Sequence, residues 1–372
     1  MKLIYVVNSL EVGGVTEVVK ATLQKLEINY NVLIVSLNNN TSGWDNNLNI
    51  PTKIFNINPI FKYSLIDYFN DIIIGKTIKT NYQPVIDFLI DQKPDIIHFH
   101  TLPRFLRIGT FVKEQINCKL VFTDHAVRIR KNEYNSIIRF SLSLIYKKVY
   151  KHYNVIFVSK AVEEVAKRYK FINNDKKHIR IDNGLEISLY KPNNRNNKII
   201  VFIYVARITP VKGHLELINA WSNINSNIER ELWLVGPNEM EDTIQKKIET
   251  LSCSNVKLLG SRKDIIELLQ IADIALFPSQ LEGLPIALLE KMAMQLPVIV
   301  SNIPELTNII DDGQDGLIYE LNNTLELTTK MKTLLENNNL RIELGKQARI
   351  KVEKYYSINT VVENLETFYK SL

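Results

Sequence analysis

Cysteine is scarce, with two residues, Cys118 and Cys253, in a chain of 372. They lie far apart, each near an apolar stretch, which excludes a disulfide framework and predicts buried free thiols in a reducing compartment. No apolar run approaches the roughly 18–20 residues that span a bilayer. The opening Met1–Asn8 run carries one lysine but is too short for a signal peptide and leads into Gly13, Gly14 and a helical pattern, so it reads as a first core strand. A cytoplasmic protein is expected, at most in peripheral contact with the inner face of the membrane. The Gly-x-Gly-x-x-Gly dinucleotide fingerprint is missing. No nucleic-acid module of recognisable spacing occurs, and no Asp-x-Asp pair offers itself to a metal.

What is present is ordinary for a globular protein: 45% hydrophobic and 23% charged residues. The length suits two domains, each able to bury its own core. The formal net charge of +6 is unevenly spread. Residues 1–170 hold 23 Lys+Arg against 14 Asp+Glu, and the remainder 23 against 26. A basic first half suits an anionic partner, either a membrane surface or a phosphate-bearing acceptor. Within it, residues 128–151 hold seven basic residues and one acidic, with Ile137, Phe140, Leu144 and Ile145 at helical spacing. Such a stripe is either a core face with a solvated basic back or a helix lying on an anionic bilayer.

Strand-like runs alternate with helical patterns from the start: Lys2–Asn8, a helix from Gly14 to Leu26, Asn31–Leu37, then Asp95–His100, Lys119–Thr123 and Val155–Ser159. That alternation predicts parallel sheets covered on both faces, with ligands at strand carboxyl ends. Ile181–Leu185 ends in an Asn-Gly turn, and the polar run Lys191–Asn197 after it is the clearest linker. Alternation resumes at Lys198–Val205.

Five strand ends carry candidate chemistry. Gly13 and Gly14 follow the first strand, where free N–H groups suit a phosphate or sugar; a tight turn without ligand fits equally well. His98 and His100 would share one face, a metal-like geometry with no carboxylate or cysteine cluster to complete it, so structural histidines are the better reading. His125 ends the next strand beside Asp124. Further on, Arg207 and Lys212 bracket a strand-to-helix turn, and two fixed cations at one strand end suit a diphosphate. The stretch Phe277–Glu290 runs strand, polar turn, helix. It sets Glu282 ahead of the helix and Glu290 inside it, each able to accept hydrogen bonds from a diol, while a capping Glu282 and a solvated Glu290 would be the bland reading.

The Glu282-x7-Glu290 spacing, with Gly283, Leu284 and Pro285 between and Arg207 and Lys212 upstream, resembles the retaining GT-B glycosyltransferases of family 4. The resemblance covers nearly the whole chain. It implies two Rossmann-like domains with parallel sheets facing a central cleft: an acceptor domain over 1–185, a nucleotide-sugar donor domain over 186–356, and a final helix, 357–372, packing back on the first. It implies that Glu282 contacts the donor sugar and Glu290 the ribose, and that Gly283, Leu284 and Pro285 belong to the donor site. Gly13 and Gly14 would close over the donor phosphates, and His125, the catalytic candidate of the first half, would contact the donor sugar or the reacting region. Arg207 and Lys212 would stabilise the departing diphosphate. Ala206 stands where the family usually has glycine, a small departure. Leu258–Arg262 would seat the base.

The expected activity is transfer of a sugar from a nucleotide sugar, most readily a UDP-sugar, to a hydroxyl of a glycan or lipid-linked acceptor in cell-envelope polysaccharide synthesis. Retention at the anomeric carbon gives an α-linkage, and no metal or other cofactor is expected. The alternatives are a nucleotide-sugar epimerase of related fold, a non-catalytic nucleotide-sugar-binding subunit of a transferase complex, and a soluble transferase for a small sugar acceptor.

Overall fold

A computed structural model describes residues 1–11, 14–41, 50–56, 81–125, 146–147, 150–172, 175–193, 197–282 and 286–372. The chain divides into two compact units, 1–183 with 361–372, and 184–360. The last helix, Ile358–Lys370, therefore belongs for most of its length to the first unit.

The first unit is built on a seven-stranded parallel sheet in the order β3-β2-β1-β4-β5-β6-β7. These strands are Lys2–Val7 (β1), Asn31–Ser36 (β2), Thr52–Ile54 (β3), Ile96–His100 (β4), Lys119–Asp124 (β5), Asn154–Phe157 (β6) and His178–Arg180 (β7). After Lys2, β1 reads as a continuous apolar run because both faces of a parallel sheet are covered, and Leu3, Ile4, Tyr5, Ile97 and Phe99 are fully buried. The register pairs Tyr5 with His98 and Val7 with His100. Gly14–Leu26 forms the expected first helix. Ser159 caps the Lys160–Arg168 helix, its side chain accepting from the Val162 amide.

The second unit repeats the plan with six parallel strands in the order β10-β9-β8-β11-β12-β13. They are Ile200–Val205 (β8), Arg230–Val235 (β9), Val256–Gly260 (β10), Ile274–Phe277 (β11), Val298–Ser301 (β12) and Leu317–Tyr319 (β13). In each sheet the strand order reverses beside the first strand, between β1 and β4 and between β8 and β11. Crevices at such reversals, beyond the carboxyl ends, are where open α/β sheets hold ligands. A backbone ladder, Leu185 N to Tyr356 O and Ile358 N to Leu185 O, fastens the start of this unit to its last residues.

Both cysteines are free and buried, as their scarcity suggested. Of the basic 128–151 stretch, residues 126–145 and 148–149 lie outside the described part. In what is described, Tyr146 and Tyr150 are buried, stacking on or tilting against Phe171, while Lys147 and Lys151 are exposed. That portion is a core face with a basic back. Among the described residues no helix is long and apolar enough to cross a membrane.

Candidate active site

β8 and β11 flank the reversal in the second unit, and each delivers part of the site from its carboxyl end. Past β8 the chain makes one 3-10 turn, Pro210–Lys212, and enters the helix His214–Ser222 through Gly213. Gly213 has φ +72°, and a Cβ there would stand 2.0 Å from the Pro278 carbonyl oxygen. Glycine is required because the turn lies directly on the chain leaving β11. Four hydrogen bonds fix that approach. The Gln280 amide donates to Val211 O at 2.8 Å. Buried Tyr204 donates its hydroxyl to Lys212 O at 3.0 Å and shares a hydrogen bond with Ser279 Oγ at 2.8 Å. Ser301 Oγ donates to Ser279 O from β12.

The outcome is an ion pair: Lys212 Nζ lies 2.7 Å from Glu282 Oε1, with side chains 22% and 11% exposed. Glu290 stands on the helix Ile286–Ala293. Its Oε1 accepts from Tyr190 Oη at 3.0 Å, and its Oε2 lies 3.4 Å from Lys291 Nζ. Lys291 is fully buried, 5.7 Å from the Phe277 ring centroid. Burial lowers its pKa, against which the charges of Glu290 and Glu282 act. One buried ammonium thus lies in the field of both glutamates.

Arg207 stands apart from this group. Its Nη1 is 3.4 Å from Glu239 Oε1, both side chains more than half exposed, a pairing worth about 0–1 kcal/mol. The helix Ile286–Ala293 begins directly after Gly283, Leu284 and Pro285, which lie outside the described residues, as does Gly13; Gly14 opens the first helix.

Among the described residues of the first unit the histidines make three side-chain hydrogen bonds. His98 Nδ1 bonds Tyr369 Oη and its Nε2 bonds Thr123 Oγ1, both at 2.6 Å, and Tyr369 Oη also meets Tyr5 Oη at 2.8 Å. His100 Nδ1 meets His125 Nε2 at 2.8 Å. Alternation put His98 and His100 on one face, and their ring centroids are 4.2 Å apart. Burial holds both pKa values well below the ordinary histidine range, with neighbouring histidine charge adding to the effect. Asp124 is buried and accepts from the Tyr150 hydroxyl. Among the described residues no group of three or more His, Cys, Asp or Glu gathers at metal-binding distance.

Sequence reasoning missed Lys291, Tyr190 and His214. Lys291 had a readable signal, a lysine three residues after Leu288 and next to Met292 on an apolar helical face. His214 is 1% exposed, and neither ring nitrogen has a hydrogen-bond partner. Its ring is 4.7 Å from that of Tyr204. Burial, reinforced by Lys212, pulls its pKa down to about 4. A separate cavity of about 510 Å³, lined by Asn193, Asp273, Arg341 and Lys346 among others, lies at the amino ends of β8, β11 and β12, away from these residues.

Two successive parallel sheets, each reversing beside its first strand, with charged residues at the carboxyl ends of the second, define the GT-B class of fold. Anabaena Alr3699/HepE, crystallised with UDP, superposes with a TM-score of 0.83 over 100% of both chains at 18% identity. The model for Glycosyltransferase Family 4 matches residues 12–188, and that for Glycosyl transferases group 1 matches 188–351. The chain belongs to family 4 of the GT-B glycosyltransferases. It is 26% identical over 363 residues to the UDP-Gal:alpha-D-GlcNAc-diphosphoundecaprenol alpha-1,3-galactosyltransferase of Escherichia coli, covering 86% of this chain and 90% of that one. With the N-acetyl-alpha-D-glucosaminyl L-malate synthase of Bacillus anthracis it shares 26% over 170 residues, 45% of each. The chain thus spans about half the length of the latter relative.

Proposed function

We propose that this protein is a retaining glycosyltransferase of cell-envelope polysaccharide synthesis. It moves a sugar from a nucleotide sugar to a hydroxyl of a glycan or lipid-linked acceptor and leaves an α-linkage. The observation that carries this reading is the Lys212–Glu282 pair at the two strand ends flanking the β8–β11 reversal, with Glu290 on the helix that follows. A UDP-sugar donor is supported by the UDP named for the Anabaena neighbour and the UDP-Gal named for the E. coli relative. A lipid-linked acceptor draws on the diphosphoundecaprenol in the latter's name and on the excess of cations in residues 1–170.

In this reading Glu282 accepts hydrogen bonds from the transferred sugar and Glu290 from the ribose. Lys212, joined by Arg207 once its exposed guanidinium leaves Glu239, offsets the charge that builds on the diphosphate as the anomeric C–O bond breaks. The acceptor oxygen bonds to the anomeric carbon on the same face. Its proton passes to the departing phosphate oxygen, so no separate base is obligatory. Gly13 and Gly14 supply amides to the phosphates, Gly283, Leu284 and Pro285 line the donor site, and His125 contacts the donor sugar, as the family resemblance implies. The protein works in the cytoplasm, with peripheral contact to an anionic membrane.

A thermal-shift screen of UDP, GDP and ADP sugars, followed by product analysis with the best donor, tests this. An α-linked product is expected. Full-rate product from donor alone would mark an epimerase or hydrolase instead, and tight nucleotide binding with no turnover on a broad acceptor panel would mark a binding subunit. The reaction is proposed to be metal-independent: turnover should survive EDTA, and loss restored by a divalent cation would refute that part.

A further inference from the structure

Glu290 differs from an ordinary exposed helix glutamate in being held at both oxygens. Tyr190 Oη donates to Oε1 at 3.0 Å and Lys291 Nζ approaches Oε2 at 3.4 Å. Neither holder is loose. Tyr190 is 8% exposed, and its carbonyl accepts from Arg349 Nη1 at 2.5 Å. The same guanidinium nitrogen donates to Ala293 O, the last residue of the helix that carries Glu290 and Lys291. Lys291 is completely enclosed against Phe277. The Glu290 side chain itself stays 25% exposed, so its carboxylate is braced from behind and open in front.

An ionised carboxylate offers about four lone-pair sites, two on each oxygen. One on each is taken by the protein, which leaves one on each oxygen facing outward. Two acceptors presented side by side match a vicinal diol, whose two hydroxyls donate in parallel. We propose that Tyr190 and Lys291 are positioning residues that lock Glu290 into a two-pronged diol acceptor, and so set the preference of the site for a ribonucleotide over its 2′-deoxy counterpart. This rests on the proposed donor-binding role of Glu290. Tyr190 and Lys291 do not touch the ligand; they remove the rotamer freedom that a lone glutamate would lose on binding.

The test is calorimetric titration of the full chain with UDP, GDP and ADP, then with the 2′-deoxy form of whichever binds most tightly. The ribo form is expected to bind about tenfold or more tightly in the unaltered protein, the range for a hydrogen bond to a charged group. Glu290→Ala should abolish the preference, and Tyr190→Phe and Lys291→Met should each reduce it to about threefold or less. A merely structural role would weaken both nucleotides equally and leave the ratio intact. Retention of the full ratio in Tyr190→Phe overturns the Tyr190 assignment, and in Lys291→Met the Lys291 one. Tyr190→Phe removes a single hydroxyl, so the proposal stays testable even where Lys291→Met fails to fold. No binding by any of the three nucleotides, or an unchanged ratio in Glu290→Ala, sinks the donor-site reading itself.

Discussion

The ammonium of Lys212 rests 2.7 Å from a carboxylate oxygen of Glu282, 70 residues further along the chain. The two arrive from different strands, and nothing local in either sequence requires them to meet. In the proposed reaction the diphosphate would draw Lys212 from this pair while sugar hydroxyls take over Glu282.

Removal of the cation should therefore cost turnover rather than folding. Lys212→Ala and Glu290→Ala are each expected to lower turnover at least tenfold, about 1.4 kcal/mol of lost transition-state stabilisation. Near-ultraviolet circular dichroism should remain unaltered. Rates close to those of the parent in both variants would refute the site assignment.

Gly213 carries the geometry on which that pair depends. A methyl group there meets the Pro278 carbonyl at 2.0 Å, on a backbone already at φ +72°. Gly213→Ala is expected to cost about 2–4 kcal/mol in urea unfolding, combining left-handed strain with a backbone clash. Its turnover should fall with that of Lys212→Ala. A variant as stable as the parent would show that the turn does not need this close approach.

Tyr369 links the last helix to β1 and β4 within the first unit, through Tyr5 and His98. Tyr369→Phe leaves buried polar partners short of a bond, at roughly 1–3 kcal/mol. Differential scanning calorimetry should show a lowered transition, and an unchanged one would mean that the hydroxyl chain contributes little.

Buried His98 and His214 and half-buried His100 set a dependence on acid. An unfolded histidine takes up a proton near pH 6.5. His98 and His100 bind theirs only well below that, and His214 only near about 4. Over the interval between, the unfolded chain holds more protons, so stability falls as pH falls from 6.5. For His214, which faces Lys212 and Tyr204, the loss approaches roughly 3 kcal/mol by pH 4. His214→Phe keeps an aromatic ring against Tyr204 and removes two unpartnered nitrogens, so its urea midpoint should decline less steeply between pH 6.5 and 4.5. An identical slope would show that His214 does not carry the effect.

Much of the architecture could be read in advance because a parallel sheet leaves a local signature. Buried strands such as Ile274–Phe277 are apolar throughout, and the Gly14–Leu26 helix is amphipathic. Glu282 and Glu290 were legible for the same reason, since a turn and the helix after it are neighbours in sequence. The sequence-based expectation set Arg207 beside Lys212 as a joint diphosphate clamp; the structure has its guanidinium out in solvent against Glu239. Sequence distance along one loop does not decide which way a long side chain leans.

By itself, then, the order of residues determined the strands, the helices and the loops that carry charge, because hydrophobic periodicity and turn chemistry act over a few residues. The folded arrangement decided which of those loops meet: Lys212 with Glu282, Tyr190 and Lys291 on Glu290, His98 with Tyr369 across 271 positions. Such contacts arise from crossover connections that lay distant strands side by side, and their energies come from burial and charge at separations that no local pattern encodes.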